Sequence, residues 1–488
     1  MKPEEILLKE RLEKLNNIIA LGINPYPSKF EKKDQIIDIV NDYSKLKNEE
    51  KSKKIITTAG RIMSIREMGK ASFFDIKDEN SKIQCFIKED EVKKKYKLYR
   101  LLDIGDIVGI EGTPFRTKRG ELSVLVKELN ILSKSLKPLP DKWHGLKDIE
   151  EKFRKRYLDI IMNPEIKELF IKKSKFWQTI RTFLLKKGFL EVETPVLENS
   201  TGGAAATPFK THHNSLDIDV YLRISMGELW QKKLLVAGYE KTFEIGRQFR
   251  NEGIDTEHLQ DYTQMEFYWA YANYKDGMSL VQEMYKLVAK EVLGTMKFKT
   301  HGYEVDLEKK WELYDYEKLI EEKTGIKIYE SSKKDIEKKL NELKIEYEKN
   351  IDKWRLVDVL WKYCRKTISG PGFLVNQPVE ITPLAKRNQK DPRKVEQFQV
   401  IIAGTEIGNG YSELNDPLDQ EKRFLEQRKL KEAGDIEAHD YDESFVEALK
   451  HGMPPACGFG VSERLFAYLV DKPIRECVIF PIMKPEKS

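Results

Sequence analysis

The chain has 488 residues and a mass of 57.2 kDa, 40% of it hydrophobic and 34% charged. That length predicts about three domains, and the composition is that of a soluble globular protein rather than a membrane, collagen-like or disordered one. Lys+Arg 86 against Asp+Glu 81 gives +5, a mild excess that permits a polyanionic partner without demanding one.

Residues 1–52 read as an N-terminal helical extension. The start carries acids among its bases and no long apolar run, so no signal peptide is expected. Ile6, Leu7, Leu12, Leu15, Ile18 and Ile19 recur at helical spacing, and Gly22 to Pro27 stops the helix. Over 53–135 the pattern changes to short strands around Ile55–Ser64, Ser72–Lys77, Lys82–Lys88, Gly105–Gly112 and Glu121–Val126. Five strands in that length predict a small closed barrel such as an OB-fold. Arg66, Phe73 and Gln84 fall on its outer face. Phe73 alternates with Phe74, so one of the two rings faces outward. An outward ring beside basic and amide groups is a platform for an unpaired base; the alternative is two core phenylalanines on a bulged strand. Residues 136–160 form a proline-bearing linker, and 161–488 a larger α/β region. Within it, 331–355 are dense in Lys and Glu and read as a solvated helical insertion. The four cysteines, Cys85, Cys364, Cys457 and Cys477, match no zinc or CxxC spacing. Cysteine usage this sparse predicts a reducing, cytoplasmic compartment.

Chemistry concentrates in four segments of the larger region. A helix from Phe170 to Gly188 with a stripe of Phe176, Ile180, Phe183 and Leu184 precedes a strand at Phe189–Glu193. Thr242–Phe249 and Tyr262–Ala270 alternate strictly. As antiparallel neighbours they place Arg250, Tyr262, Glu266 and Tyr268 on one surface, opposite Phe243, Met265 and Phe267. Asn409, Tyr411 and Glu413 are spaced by two in a glycine-rich stretch that lets a ligand approach the backbone. In Gly458-Phe-Gly-Val-Ser-Glu-Arg464, Ser462 reads as an N-cap and Glu463 suits the first turn. Arg464 opposes the helix dipole, which points to an anion there.

In this order, GFLEVETPVL, FEIGRQFRNEGI, YTQMEFYWAYANY, GTEIGNGYSELNDP and GMPPACGFGVSERL resemble the class II aminoacyl-tRNA synthetases, and most nearly the bacterial-type lysyl-tRNA synthetases. The resemblance begins near residue 11 and covers nearly the whole chain. It implies a multidomain α+β protein. An OB-fold anticodon-binding barrel would precede a class II catalytic domain, an antiparallel sheet flanked by helices. It also implies a cytoplasmic homodimer that uses ATP with Mg²⁺ to adenylate L-lysine and then charges tRNA(Lys).

By that resemblance Arg250 and Arg464 are catalytic, and ATP is bound by Arg250, Glu252, His258, Tyr262, Glu406 and Arg464. Lysine is bound by Gly203, Glu228, Arg250, Glu266, Tyr268, Asn409, Tyr411 and Glu413. The anticodon is read by Arg66, Phe73, Gln84 and Glu121. Mg²⁺ would use Glu406 with Gln399, where the family usually has glutamate. Two other departures are Glu257, where arginine is usual before His258, and Met226-Gly227, where one proline is common before Glu228. The residues themselves bear on the substrate: a pocket for an anionic side chain needs a buried cation, whereas Glu266 and Glu413 among tyrosines suit an ammonium. Aspartyl- or asparaginyl-type synthetases, a tRNA-independent lysyltransferase and a non-catalytic nucleic-acid-binding relative are the competing readings.

Overall fold

A computed structural model describes residues 3–93, 95–140, 148–199, 206–253, 258–348, 351–432 and 441–486. The chain forms two compact units, Met1–Met162 and Asn163–Ser488. Among the described residues no helix is long and apolar enough to cross a membrane.

In the first unit the helix Pro3–Ala20 forms where the periodicity places it. Its Ile18 is buried, while Ile6, Leu7, Leu12 and Ile19 stay exposed. Five strands, β1 (Ile56–Met68), β2 (Ala71–Lys77), β3 (Lys82–Lys88), β4 (Ile107–Arg116) and β5 (Leu122–Ser133), close into a barrel in the order β1-β2-β3-β5-β4. Alternation fills the interior with Phe74, Ile76, Ile83, Cys85 and Ile87. β4 and β5 run longer than the sequence pattern, pairing from Ile107 with Ser133 to Arg116 with Leu122 across register shifts at Ile107/Val108 and Glu111/Gly112.

The second unit is built on an eight-stranded sheet. From one edge its order is Glu312–Asp315, Gly372–Val375, Gln397–Ile402, Thr405–Ser412, Ala456–Ser462, Asp261–Ala270, Lys241–Phe249 and Leu190–Glu191. The outermost pair at each edge is parallel and the rest are antiparallel. The helices Pro164–Lys186 and Tyr274–Leu293 bring Phe176, Ile180, Val281, Met284 and Val288 into one core with Phe243, Phe267, Phe398 and Phe459. One sheet face is thus apolar and helix-covered, which leaves the other for polar groups.

Two expectations change. The strand expected at Phe189–Glu193 is only Leu190–Glu191, an edge strand paired on one side to Thr242 and Phe243, while Phe189 turns into the core. The charged stretch 331–355 is not solvated all round. Its helix Lys333–Glu342 buries Ile336 and Leu340 in a separate core with Tyr316, Ile320, Leu356 and Leu360. Lys and Glu occupy only the opposite face.

Candidate active site

The free face of the central strands floors a cavity of about 390 Å³. Register brings its groups together. Glu266 and Tyr268 sit opposite Gly460 and Gly458, and those two glycines pair in turn with Asn409 and Tyr411. The glycines make the room. A Cβ on Gly458 would lie 2.1 Å from Glu413 Oε1 and 2.7 Å from the Tyr268 ring, and one on Gly460 would crowd Glu266 at 3.1 Å. Glu413 follows the end of the Thr405–Ser412 strand, and Glu228 opens the helix Glu228–Val236.

That helix start explains the Met226-Gly227 departure. Gly227 is left-handed at φ 66°, and a Cβ there would lie 2.1 Å from Thr194 Oγ1, so only glycine fits. The turn directs the Met226 N–H to Glu266 Oε1 at 3.1 Å, while the Met226 carbonyl accepts from Gln231 at 2.9 Å.

Three buried carboxylates meet on this floor. Glu266 accepts from the Met226 N–H, from Gln264 at 2.6 Å and from the Tyr268 hydroxyl at 3.0 Å. Glu228 accepts from the Tyr411 hydroxyl. Between Glu228 and Glu413 lies Lys232, 1% exposed, its Nζ 2.8 Å from Glu228 Oε1 and 2.6 Å from Glu413 Oε2. The Glu413 contact is at ion-pair distance, but neither of that carboxyl group's oxygens makes an aligned hydrogen bond. Lys232 corrects the expectation of a pocket without a buried cation. Its charge is already engaged by Glu228 and Glu413, so acid still exceeds base.

Burial drives the titration of these groups. It pushes Glu266 up to about 7, with Glu228 adding to the rise and the hydrogen bonds opposing it. It pushes Glu413 up to about 8, against Lys232 and with Glu228 and Glu266. Burial works to lower the Lys232 ammonium, but Glu228 and Glu413 more than offset it and its pKa rises. Tyr268 and Tyr411 are also raised, first by burial and then by the carboxylates, so both stay neutral donors.

The same cavity is also lined by Arg250, Tyr262, Gln399, Glu406 and Arg464. The Arg250 guanidinium stands 5.9 Å from the centre of the Tyr262 ring. Arg464 Nε and Gln399 Oε1 are buried without hydrogen-bond partners. Glu406 is raised by burial, with Arg365 and Arg464 pulling the other way. Asn409 also lines the cavity and accepts from Gln397 at 2.8 Å. Glu252 and His258 are exposed and do not line it. Gly203 and Glu257 lie outside the described residues. The N-cap expectation is corrected: Ser462 ends the Ala456–Ser462 strand, and its hydroxyl accepts from the Arg464 N–H at 3.3 Å. Glu463 takes the cap position with its side chain buried and paired to Lys173.

On the barrel, Phe73 is outward and half-buried while Phe74 is fully buried. Phe73 stacks on Phe86 at 4.4 Å, and Phe86 lies 6.1 Å from Phe115. Arg66 pairs in register with Phe73 and is exposed, as is Glu121; Gln84 accepts from Ser123 at 2.9 Å. The sequence reading missed Phe86 and Phe115, although Phe86 lies two residues from Gln84 on the same strand parity.

Comparison with known proteins agrees with both units. Residues 148–484 match the model of class II tRNA synthetases (D, K and N), and residues 56–132 match that of the OB-fold nucleic acid binding domain. The chain belongs to this class II tRNA synthetase family. Among its relatives is the lysine--tRNA ligase of Thermotoga maritima, 47% identical over 98% of this chain and 96% of the relative. Those of Thermoanaerobacter sp. (strain X514), 45% over 99% and 97%, and Moorella thermoacetica, 44% over 100% of both, are similar across their length.

The raised carboxyls set a pH dependence of stability. Glu413 holds its proton in the fold up to about 8, against 4.5 for the ordinary group. Between those values the unfolded chain binds fewer protons, so this group's contribution falls as pH rises. Glu413→Gln removes that slope. Its melting temperature relative to the parent should therefore climb from pH 5 to pH 8 in ligand-free calorimetry. A constant difference would show that Glu413 does not carry the proton.

Proposed function

We infer that the chain adenylates L-lysine with ATP, releasing pyrophosphate, and then transfers the lysyl group to the 3′-terminal adenosine of tRNA(Lys). The observation that carries this reading is the buried excess of acid on the cavity floor: Glu228, Glu266 and Glu413 against the single Lys232. A buried ammonium needs a carboxylate partner, and an aspartate side chain would be repelled. Lys232 supplies no site for an anion, because Glu228 and Glu413 already hold it.

In the first step a lysine carboxylate oxygen attacks the α-phosphorus and the bond to pyrophosphate breaks. The carboxylate is already ionised at neutral pH, so no general base is required. The protein contributes position and charge. Arg250 would contact the lysine carboxylate and the α-phosphate, and Arg464, its Nε unpartnered, the far end of ATP. Tyr262 would stack on adenine. Glu252 and His258 would join the ATP only once it is bound, since both are exposed in the free chain. Glu228 and Gly203 would take the α-ammonium, and Glu413, Glu266, Tyr268, Tyr411 and Asn409 the side chain.

Among the described residues no three carboxylate, histidine or cysteine side chains form a metal group. Glu406 and the unpartnered Gln399 Oε1 are both oxygen donors on the cavity wall, a set that fits Mg²⁺ arriving with ATP phosphates. The ion would neutralise phosphate charge. In the second step the terminal ribose hydroxyl attacks the lysyl carbonyl and AMP leaves.

The test is ATP–pyrophosphate exchange dependent on lysine, with aspartate and asparagine as controls. Glu413→Gln keeps shape and removes charge. Loss of one partner of a buried pair costs roughly 3–5 kcal/mol, so kcat/KM for lysine should fall on the order of 10² to 10³ while the KM for ATP holds. Unchanged lysine kinetics in the folded variant would count against the assignment.

For the barrel, base stacking is worth roughly 1–3 kcal/mol. Phe73→Ala should weaken tRNA charging and leave exchange near the parent level; equal loss in both assays would make Phe73 a packing residue. A cytoplasmic homodimer completes the reading. In this family the segment from Pro164 to Pro195 would be the subunit interface, and sedimentation of an active species at micromolar concentration should return twice the chain mass; an active monomer would refute it.

A further inference from the structure

Lys232 does not line the cavity, yet it touches two of the three carboxylates that do. It lies behind the floor, 5.4 Å from the Tyr411 ring centre, 5.9 Å from that of Tyr268 and 5.7 Å from that of Phe445. The charged groups that act on it are Glu228, on its own helix, and Glu413, just beyond the Thr405–Ser412 strand. The Asp261–Ala270 and Thr405–Ser412 strands bring the Tyr268 and Tyr411 rings, and the helix Glu443–Lys450 brings the Phe445 ring. The Lys241–Phe249 strand, also packed on this helix, carries Glu244, whose carboxylate is held by Arg223 and Thr194.

We propose that Lys232 is a positioning residue that sets the charge and the side-chain specificity of the amino-acid pocket from behind, holding Glu413 and Glu228 in place while cancelling one of the three negative charges. The inference rests on the lysine reading above. With all groups ionised, three carboxylates and one ammonium leave two negative charges. Free lysine brings two ammonium groups to that floor, and its carboxylate goes to Arg250. The pocket and ligand then neutralise each other. Without Lys232 the floor would carry three negative charges against two positive ones, and burial forbids such an excess. Burial already raises Glu413 to about 8 with Lys232 opposing the rise, so without Lys232 the pocket would hold a proton to a higher pH still. Lysine would have to displace that proton to bind, so binding would weaken at neutral pH and recover as pH rises.

Two arrangements compete with this one. Lys232 could be a stand-in for the substrate ammonium, competing for Glu413. It could also be only a packing residue. The three differ in sign or in pH profile.

The experiment is the pH profile of kcat/KM for lysine in ATP–pyrophosphate exchange, with the full-length chain, Lys232→Met and Lys232→Arg. Wild-type exchange tests the lysine reading by itself, so absence of lysine dependence there sinks that reading and not this inference alone. In Lys232→Met the acid limb should move up by about one pH unit or more. The loss should be about tenfold or greater near pH 7 and shrink to a few-fold near pH 9, with the KM for ATP unchanged. Lys232→Arg, which keeps the charge, should keep the parent limb. A loss of equal size at every pH would make Lys232 structural, and a lowered lysine KM would make it a competitor; either result overturns the proposal. Should Lys232→Met fail to fold, Lys232→Arg decides: a folded arginine variant with a displaced acid limb refutes the charge role.

Discussion

Placing three carboxylates on the dry floor of one cavity is the constraint on which the rest of the catalytic unit depends. Each carboxylate withdrawn from water costs several kcal/mol unless a donor or cation meets it. The local structure is organised around meeting that cost. Glu266 is met by neutral donors, among them a backbone N–H aimed by the left-handed turn at Gly227. Glu228 is met by the Tyr411 hydroxyl and Lys232, and Glu413 by Lys232 alone. A side chain at Gly458 would occupy the space of Glu413, and one at Gly460 would press on Glu266.

The sheet separates two solvents. On its apolar face Phe243, Phe267, Phe398 and Phe459 join the helices in a core. On the other face the same strands present alternate polar residues, because successive side chains point to opposite sides. Stability and chemistry are thereby assigned to different residues of the same strands. The cavity lining pairs the buried acids Glu228, Glu266 and Glu413 with the basic groups Arg250 and Arg464.

Much of this was legible in the sequence, and the failures have physical causes. Strict alternation in Thr242–Phe249 and Tyr262–Ala270 revealed the two faces, because a half-buried sheet has to alternate. The same logic found Phe73 but not its neighbour Phe86, whose stacking depends on β2–β3 register. Lys232 was invisible for a different reason. A Glu-to-Lys spacing of four with a second lysine beside it reads as a solvated helix face, and only the packing of Tyr268, Tyr411 and Phe445 around it reveals burial. The insertion 331–355 misled in the same direction, since its charge density hid Ile336 and Leu340. Glu252 and His258 are a third kind: the resemblance alone singled them out, and both are exposed in the free chain.

Selectivity on such a floor follows from charge more than from shape. A neutral isostere of lysine would fill the same volume but leave one carboxylate buried and unmatched, and that penalty is larger than the loss of a methylene contact. On the proposed reading, shortening the side chain would have a similar effect by separating the ammonium from Glu413 and Glu266. An anionic side chain would meet repulsion from the acids, since Lys232 is already held between Glu228 and Glu413. Discrimination therefore needs no steric gate. It requires that the acids stay in place until the ligand arrives, and the glycines, the tyrosine hydroxyls and Lys232 together make that state tolerable within a folded protein.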